Sequence, residues 1–420
     1  MVYVVNKNRE PLMPCKPAVA RLLLKDRKAK CIRRTPFTIQ LLDETTNYAQ
    51  DLTLGVDTGS GKIGSAVVNK KGEAVYLSEV EVRNDITKKM TRRAQYRRTR
   101  RTRKTRYRKP RFDNRGNSKR NSRFSPTMTS KIDSHLKEIR FVQSLLPIRK
   151  VILETGTFDP HALKNPAVRK HKWMYQKGIN YGYANTKSYV LTRDDYTCQN
   201  CKGSTKDRRL EVHHIVFRRD GGSDDGNNLI TLCKTCHDAL HRGEITLNGG
   251  KKRGTLKHAT QMNSIRIQLL KRLPQAEESF GYITKEHRQH LGLPKEHYMD
   301  AAVIASQGRI ISFKTSTVLR KKCVADGDYQ QTKGVRSQQV IPTGKIGGVR
   351  KFDKVQYLGN EYFVKGRMSS GYAVLMDIDS QKADFSDAPR GWKTPKIERL
   401  KRVSARDSWI MTEEAMPSIA

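Results

Sequence analysis

The sequence has no apolar run approaching the ~18 residues of a membrane-spanning helix. Its first residues, MVYVVNKNRE, also lack the apolar core of a secretion signal. Aromatic residues make up only 7% of the chain, and acidic residues are scarce, with 41 Asp and Glu against 83 Lys and Arg. These absences exclude an integral membrane protein and predict a cytoplasmic one with a large excess of positive charge.

That excess gives the 420-residue chain a formal net charge of +42. So much like charge repels itself unless a polyanion neutralises it, and nucleic acid is the default partner. Because aromatic residues are few, we expect contacts to backbone phosphates to dominate and do not expect base stacking to be the main binding mode. The length allows two or three domains at ~150 residues each.

Cysteines are too few and too scattered for a disulfide scaffold. Of seven, three are isolated (Cys15, Cys31 and Cys323), and four form two CxxC pairs, Cys198/Cys201 and Cys233/Cys236. Each pair places two thiolates on one tight turn, and two such turns supply the four sulfurs of a closed structural zinc site. The sequence therefore predicts a zinc-clipped module in a reducing compartment.

Between the pairs, LEVHHIVF is predicted as a strand, GGSDDGNN as a turn, NLITLC as a second strand and CKTCHDALH as a helix. This order, with a His doublet, an Asn and a CHxxxH at these positions, resembles the HNH (ββα-metal) endonucleases. The resemblance implies His214 as the general base, His213 and His237 as ligands of one divalent ion, and Asn228 as the residue that orients the loop of the base. An imidazole suits a base at neutral pH. His241 is left open between ligand and structural residue, and a purely structural zinc knuckle is the alternative.

Upstream, residues 52–82 are predicted to form three antiparallel strands with Gly-rich turns. Asp57 interrupts the first strand, and a carboxylate there is costly unless it binds something. GVDTG resembles the start of an RNase H-like or RuvC nuclease, although sugar kinases and actin-like ATPases begin similarly. Thr58 stands where that family usually has Pro.

Two later segments add acidic residues beside apolar sequence. KVILETG is a predicted buried strand with Glu154 near its end, and KEHYMDAAVIAS is a predicted helix with His297 and Asp300 on one face. Like-charged carboxylates converge around cations, and two Mg²⁺ ions clamp the attacking and leaving oxygens in phosphodiester hydrolysis. Asp57, Glu154, Asp300 and His297 therefore form a second candidate catalytic set, and ordinary solvated acids are the alternative.

An arginine-rich run, residues 88–111, has ten Arg, four Lys and no acid. We expect a helix that lies in a nucleic-acid groove, with a disordered basic tail as the alternative. The candidate contacts are Arg92, Arg93, Arg97, Arg98, Arg100, Arg101, Arg103, Arg106 and Arg108. A polar linker follows.

The remaining segments carry no catalytic set. The first 48 residues are predicted as a small basic α+β module, KIDSHLKEIRFVQSLL and TLKHATQMNSIRIQLLKRL as helices, and SFGYIT as a strand. The stretch before the zinc module, WMYQKGINYGYANTKSYV, is polar and aromatic. Residues 308–420 are predicted as short strands, among them QQVIPTG, forming a small β-barrel or curled sheet.

A RuvC-like nuclease interrupted by an Arg-rich helix and by an HNH insert resembles the IscB family of OMEGA RNA-guided nucleases, which is transposon-associated. PLMP, GVDTG, ILE and HYMDA match its N-terminal domain and its three RuvC motifs. The fold class is thus multidomain α+β: an RNase H-like RuvC fold split by a bridge helix and a ββα-metal HNH domain, plus a C-terminal β-rich domain. The expected domains are 1–48 (PLMP), 49–84 (RuvC I), 85–115 (bridge helix), 130–158 (RuvC II), 159–250 (linker and HNH), 251–308 (RuvC III) and 309–420 (reader of the target-adjacent motif).

The resemblance implies a monomeric prokaryotic protein that binds a guide (omega) RNA and double-stranded target DNA, with Mg²⁺ at both catalytic sites and one structural Zn²⁺. The HNH site would cut the guide-paired strand and the RuvC site the displaced strand. Two alternatives are a protein-only HNH homing endonuclease and a non-enzymatic zinc-knuckle RNA-binding protein.

Overall fold

A computed structural model describes residues 1–102, 124–178, 180–220, 222–247, 256–325, 345–387 and 394–417. It divides into two compact units: residues 1–156 with 262–420, and residues 157–261. Among the described helices, none is long and apolar enough to cross a membrane. The architecture is mixed α/β and multidomain, which agrees with the predicted class at that level.

The first unit begins with a small sheet. Its strands are β1 (Tyr3–Val5), β2 (Ala29–Arg34) and β3 (Phe37–Leu41), in the order β1-β3-β2, and α1 (Pro17–Lys25) packs against them. Val2, Val4, Ala20, Ala29 and Ile39 form its core. This arrangement agrees with the predicted small α+β module.

The main sheet of this unit has eight strands. They are β4 (Leu52–Asp57), β5 (Lys62–Asn69), β6 (Glu73–Glu81), β7 (Ile148–Thr155), β10 (Glu277–Phe280), β11 (Ser312–Phe313), β12 (Thr317–Cys323) and β17 (Trp409–Ala415). The order is β10-β7-β4-β5-β6-β12-β17, and β11 pairs with β6. β4, β5 and β6 are antiparallel, as predicted, whereas β7 runs parallel to β4 and β10 parallel to β7. Asp57 is the last residue of β4 rather than a mid-strand residue.

Helices cover both faces of this sheet. α3 (Pro126–Gln143) and α7 (Lys257–Arg272) contribute Ile132, Ile139 and Leu269 to one core, against Leu54 and Val56 of β4. α9 (His297–Ser306) packs on the other face, where its alanines meet apolar residues of β5 and β6. Burying each large aliphatic side chain contributes about 1.5–3 kcal/mol. The sheet that carries Asp57 and Glu154 is therefore held between two apolar layers.

A buried ion pair fastens β12 to this core. Lys321 Nζ lies 2.6 Å from Glu138 Oε2 of α3, and both side chains are fully buried. Glu138 also accepts hydrogen bonds from Ser65 and Ser78, and the Lys321 ammonium stands 4.1 Å from the Phe141 ring centroid. Burial lowers the pKa of Lys321 to about 8. Such a charge is tolerated inside a protein only when it is paired and hydrogen-bonded, as here.

The chain after residue 308 does not form one separate barrel. β12 and β17 extend the main sheet, because Leu319 and Trp409 bury in its core. A second, antiparallel sheet contains β13 (Lys354–Tyr357), β14 (Asn360–Arg367), β15 (Ala373–Met376) and β16 (Lys401–Ser404), in the order β15-β14-β13-β16. The predicted strand QQVIPTG lies outside the described residues.

Two element boundaries differ from the prediction. SFGYIT is not one strand: β10 ends at Phe280, and α8 (Gly281–His290) begins directly after it. α3 starts at Pro126, five residues early, because Ser125 caps it by accepting a hydrogen bond from the Met128 amide at 3.3 Å and Pro126 suits the first helical position.

The second unit contains the predicted ββα module. β8 (Leu210–His214) pairs antiparallel with β9 (Leu229–Cys233), and α6 (Lys234–Arg242) follows. β8 is shorter than LEVHHIVF, since the chain after His214 turns into a loop. Before this module lie α4 (Pro160–Lys164), 3-10 helices at Pro166–Arg169 and Lys172–Tyr175, and α5 (Thr186–Arg193).

Candidate functional site

The four paired cysteines converge in the second unit. The sulfurs of Cys198, Cys201, Cys233 and Cys236 all lie within 4.8 Å of one another, and Cys201 Sγ and Cys233 Sγ are 3.8 Å apart. A tetrahedron with Zn–S bonds of about 2.3 Å has edges of about 3.8 Å. All four cysteines are free of disulfides. The cluster fits zinc in chemistry and in spacing.

Three imidazoles form a second cluster in the same unit. Nitrogens of His213, His237 and His241 lie within 4.8 Å of one another. His213 projects from β8, and His237 and His241 lie one turn apart on α6. The sequence did not decide whether His241 is a metal ligand or a structural residue. In the structure its imidazole lies beside those of His213 and His237, the two predicted ligands.

The protonation of His213 suits a ligand set. Burial, with the neighbouring His237 and His241, lowers the pKa of His213, so the ring is neutral at physiological pH. The Nδ1 atom of His213 is buried, and within the described chain it has no hydrogen-bond partner. His237 Nδ1 is also buried, and it lies 3.4 Å from Glu211 Oε2. A neutral imidazole with an unshared ring nitrogen, such as that of His213, is what a divalent ion requires.

His214, the predicted base, is not a member of this cluster. Its Nε2 lies 2.8 Å from Asp224 Oδ1, and Arg218 Nε lies 2.7 Å from the same oxygen. His214 and Arg218 hold the pKa of the Asp224 carboxyl below its usual range. The sequence analysis did not identify Asp224 as a partner of His214. An Asp in the turn after a His doublet could have indicated this contact.

Asn228 ties the loop after His214 to the start of β9. Its Oδ1 accepts from the Val216 amide at 3.0 Å, and its Nδ2 donates to the carbonyl oxygens of Val216 at 3.0 Å and Ser223 at 2.9 Å. The Asn228 carbonyl also accepts from the Ile215 amide at 2.8 Å. These bonds hold the loop that carries Asp224.

The acidic residues of the first unit meet at the edge where β4 and β7 end. Asp57 and Glu154 are directly paired in the parallel register of these strands. Thr58 Oγ1 donates to the Glu154 carbonyl at 2.5 Å, so the residue that replaces the expected Pro fastens the two strand ends together. His297 Nδ1 lies 2.6 Å from Asp57 Oδ2.

Glycines let α9 lie directly on the sheet. A Cβ at Gly55 would stand 2.2 Å from the Ala301 carbonyl oxygen, and one at Gly64 would stand 1.9 Å from that of His297. Only glycine permits backbones to approach so closely. The first turn of α9 is thereby brought over β4 and β5, with His297 and Asp300 beside Asp57.

The electrostatics show that negative charge is concentrated here. Burial, with the charges of Asp57 and Asp300, raises the pKa of Glu154 to about 7. Burial and Asp57 also raise the pKa of Asp300, and the hydrogen bond to Asp57 raises that of His297. Glu154 Oε2 is buried without a hydrogen-bond partner in the described chain. Converging carboxylates, with one buried oxygen that has no hydrogen-bond partner in the described chain, fit divalent cations.

Two features of this set were not predicted. Arg288 Nε lies 2.8 Å from Asp300 Oδ1 without hydrogen-bond alignment, so a guanidinium shares the acidic cluster. The carboxylates are also more spread than the cysteines or histidines: no group of three containing them falls within 4.8 Å in the described chain. This wider spacing leaves space between the carboxylates of Asp57, Glu154 and Asp300.

α3 supports the turn that follows Asp57. Lys131 Nζ donates to the Ser60 carbonyl, and His135 Nδ1 lies 2.8 Å from the Lys131 carbonyl oxygen. Burial lowers the pKa of His135 to about 4, so this imidazole is neutral. Both residues lie more than 70 positions from Asp57 and had no local sequence signal.

The arginine-rich run forms α2 (Ile86–Thr102) as far as it is described. Arg92, Arg93, Arg97 and Arg98 are exposed on it. The backbone of Arg100 and Arg101 is helical. The other three candidates, Arg103, Arg106 and Arg108, lie outside the described residues.

Comparison with known proteins gives two family matches. An RRXRR protein family matches residues 2–178, and the HNH endonuclease family matches residues 198–243. The chain is thus a DNA endonuclease, a hydrolase of phosphodiester bonds, with an HNH domain. The combination of these two matches is similar to that of IscB-like RuvC/HNH nucleases.

Individual relatives match over short stretches. Anaredoxin of Nostoc sp. is 29% identical over 68 residues, 16% of this chain and 87% of its own length. The type IV methyl-directed restriction enzyme EcoKMcrA of Escherichia coli is 33% identical over 61 residues, 13% of this chain and 22% of its own length. A crystal structure of Streptococcus thermophilus Cas9 with the AGAA PAM aligns with a TM-score of 0.33 at 11% identity, over 60% of this chain and 32% of that one.

Proposed function

We propose that this protein is an RNA-guided endonuclease that cuts both strands of duplex DNA, each at its own site. The observation that carries the proposal is the presence of two separate candidate metal centres of different chemistry: the His213, His237 and His241 cluster and the Asp57, Glu154 and Asp300 set with His297. One site of either kind suffices to cut a single phosphodiester bond, and two distinct sites suit two strands.

At the HNH site, His214 acts as the general base. If its Nε2–H is donated to Asp224, the ring is fixed and Nδ1 keeps the lone pair that takes a proton from water. Asn228 holds the loop that positions Asp224. His213, His237 and His241 would hold one divalent ion, which when bound stabilises the scissile phosphate and the leaving oxygen.

At the carboxylate site, the strand order and the Asp57–Glu154 pairing support a RuvC-type, RNase H-like centre. Asp57, Glu154 and Asp300 would hold divalent ions, proposed to be Mg²⁺, which when bound activate water and stabilise the departing oxygen. His297, held by Asp57 at 2.6 Å, is placed to move a proton near the reacting phosphate. Arg288 offsets the charge of Asp300 when no cation does.

The guide is proposed to be a structured omega RNA. The net charge of +42 and the exposed arginines of α2 support a polyanionic partner. In this proposal α2 is the bridge helix that splits the RuvC fold at residues 85–115, and the HNH domain splits it again at 159–250. The protein is monomeric within its cytoplasmic ribonucleoprotein, the HNH site cuts the guide-paired strand, and residues 309–420 read the target-adjacent motif.

Strand-labelled target DNA on a denaturing gel tests the division of labour. His214→Ala should leave a nickase of the displaced strand, Asp57→Ala a nickase of the paired strand, and the double variant should bind without cutting. Sequencing RNA that copurifies tests the guide: a discrete RNA with a variable end supports it. Cleavage of both strands by His214→Ala would refute the two-site assignment, and site-specific cutting without RNA would identify a protein-only endonuclease.

A further inference from the structure

One short segment of the second unit concentrates exposed aromatic rings. Residues 158–187, the aromatic segment, expose Phe158, Trp173, Tyr175, Tyr181 and Tyr183. The exposed fraction is 57% for Trp173 and 62% for Tyr181. Large aromatic side chains are usually mostly buried, and a run of exposed ones marks an interaction surface.

Two of these rings, Tyr175 and Tyr183, are held in place by the fold. Tyr175 Oη donates to Asp159 Oδ2 at 2.5 Å, while Asp159 Oδ1 caps α4 by accepting from the His161 amide at 2.9 Å. Tyr183 packs edge-to-face on Tyr189, with centroids 5.4 Å apart. Tyr189 in turn occupies the space that a side chain at Gly226 would need. A fixed ring loses little entropy when it binds a partner, which favours recognition.

The surroundings of these rings are basic. The segment exposes six cationic side chains: Lys164, which pairs with Asp225 Oδ2 at 2.9 Å, and Arg169, Lys170, Lys172, Lys177 and Lys187. Its only acid, Asp159, is engaged by Tyr175 and by the cap of α4. Lys177 Nζ stands 5.1 Å from the Tyr181 ring centroid. Positive charge and flat apolar faces thus alternate over about thirty residues.

We propose that the aromatic segment binds single-stranded nucleic acid. Unpaired bases offer faces that stack on aromatic rings, while their phosphates pair with lysines, and this combination characterises single-strand binding surfaces. Paired bases in a duplex keep those faces stacked inside the helix, so duplex DNA would gain only the phosphate contacts. Lysine is depleted at protein–protein interfaces, which disfavours a protein partner.

A local stacking surface is compatible with the low aromatic content of the chain. The low overall aromatic content argued against base stacking as the main binding mode, but composition averages over the chain. Five exposed rings within one segment provide a local stacking surface that the average conceals.

Trp173 provides the measurement. The other two tryptophans are Trp409, which is buried, and Trp392, which lies outside the described residues. The full chain, with any RNA that copurifies and with its zinc in place, is titrated with an oligothymidylate of about 20 nucleotides without added magnesium, at raised salt that weakens phosphate contacts. We expect quenching of indole fluorescence in the native protein and its loss in Trp173→Phe. Duplex DNA of the same length should quench much less.

Affinity measurements separate stacking from charge. Trp173→Ala with Tyr181→Ala should weaken oligothymidylate binding by about fivefold to a hundredfold for each stacked base that is removed, with little change in salt dependence. Lys172→Gln should instead flatten the salt dependence. Tyr282→Ala, at an exposed tyrosine of the other unit, is the matched control and should bind normally.

Two outcomes would overturn the proposal: no quenching with unchanged affinity in the double variant, or equal quenching by duplex and single strand. A change in self-association without any effect on oligothymidylate would identify a protein contact instead, and would also overturn it. Because binding is measured without added magnesium, the result does not depend on whether the two-strand cutting proposed above is correct.

Discussion

Replacing Gly64 by alanine should disable the carboxylate site from a distance. The added methyl would stand 1.9 Å from the His297 carbonyl oxygen, whereas real Cβ atoms essentially never come within 3.0 Å of such an atom. The first turn of α9 must therefore move by about 1 Å, since the obstacle is backbone and no side chain can rotate away. His297 and Asp300 move with it, away from Asp57 and Glu154.

The expected magnitudes follow from that displacement. A misplacement of about 1 Å in a catalytic arrangement costs on the order of 100-fold in rate. Overpacking of this kind lowers the free energy of unfolding by about 1–3 kcal/mol, which a unit with two apolar cores tolerates. The variant should therefore remain folded at room temperature while losing most of its carboxylate-site cleavage.

The assay isolates one site at a time. Nicking of target plasmid is measured for Gly64→Ala in a His214→Ala background, where only the carboxylate site cuts, and in an Asp57→Ala background, where only the HNH site cuts. Gly61→Ala is the matched control, because a methyl group there meets nothing within 4 Å. Thermal denaturation checks folding. The reasoning fails if folded Gly64→Ala nicks at the native rate, or if both backgrounds lose activity equally.

Three further predictions concern charge and metal. Between pH 4.5 and about 7, folded Glu154 keeps a proton that the unfolded chain releases. The free energy of unfolding of the metal-free protein should therefore fall by up to about 3 kcal/mol as pH rises through this window. Urea unfolding at pH 5 and 8 should show that Glu154→Gln abolishes this decrease, and an unchanged pH dependence would contradict the prediction. Metal analysis should find about one zinc per chain. The Cys233→Ser variant should lack this zinc, and its HNH module should be unfolded while nicking of the displaced strand persists. A zinc-free native protein would rule out this site. Replacing Arg92, Arg93 and Arg97 by Gln should reduce the slope of the salt dependence of RNA binding. The expected reduction is roughly 0.7–0.9 for each phosphate that is no longer neutralised. An unaltered slope would mean that these side chains are solvated and do not contact RNA.

What the sequence predicted well was encoded locally. The CxxC pairs, the His doublet and the CHxxxH lie at spacings that a hairpin and one helical turn convert directly into clusters. Alternating apolar residues likewise predicted the three strands from Leu52 to Val82. In such cases a few neighbouring residues determine the geometry, so the pattern is sufficient.

What the sequence did not show depends on distant contacts. Arg288 meets Asp300 only because α8 and α9 pack together, and Lys131 reaches Ser60 only because α3 lies under the sheet. β12 pairs with β6 although more than 230 residues separate the two strands, so no short turn between them indicates the pairing. Alternation identifies a strand but does not select its partner, and for this reason the C-terminal strands were predicted together as a small β-barrel or curled sheet, without the pairing of β12 and β17 to the main sheet.

The position of the second unit within the chain bears on how such proteins change over time. The second unit begins after Gly156, two residues beyond Glu154. The chain re-enters the first unit within α7, which leads to β10. β7, α7 and β10 form the usual crossover between adjacent parallel strands, so the whole unit occupies a single loop of that crossover. Lengthening a loop is inexpensive, at about 0.6 kcal/mol per doubling. A sheet built in this way tolerates the acquisition, loss or exchange of a complete nuclease module without rethreading any strand.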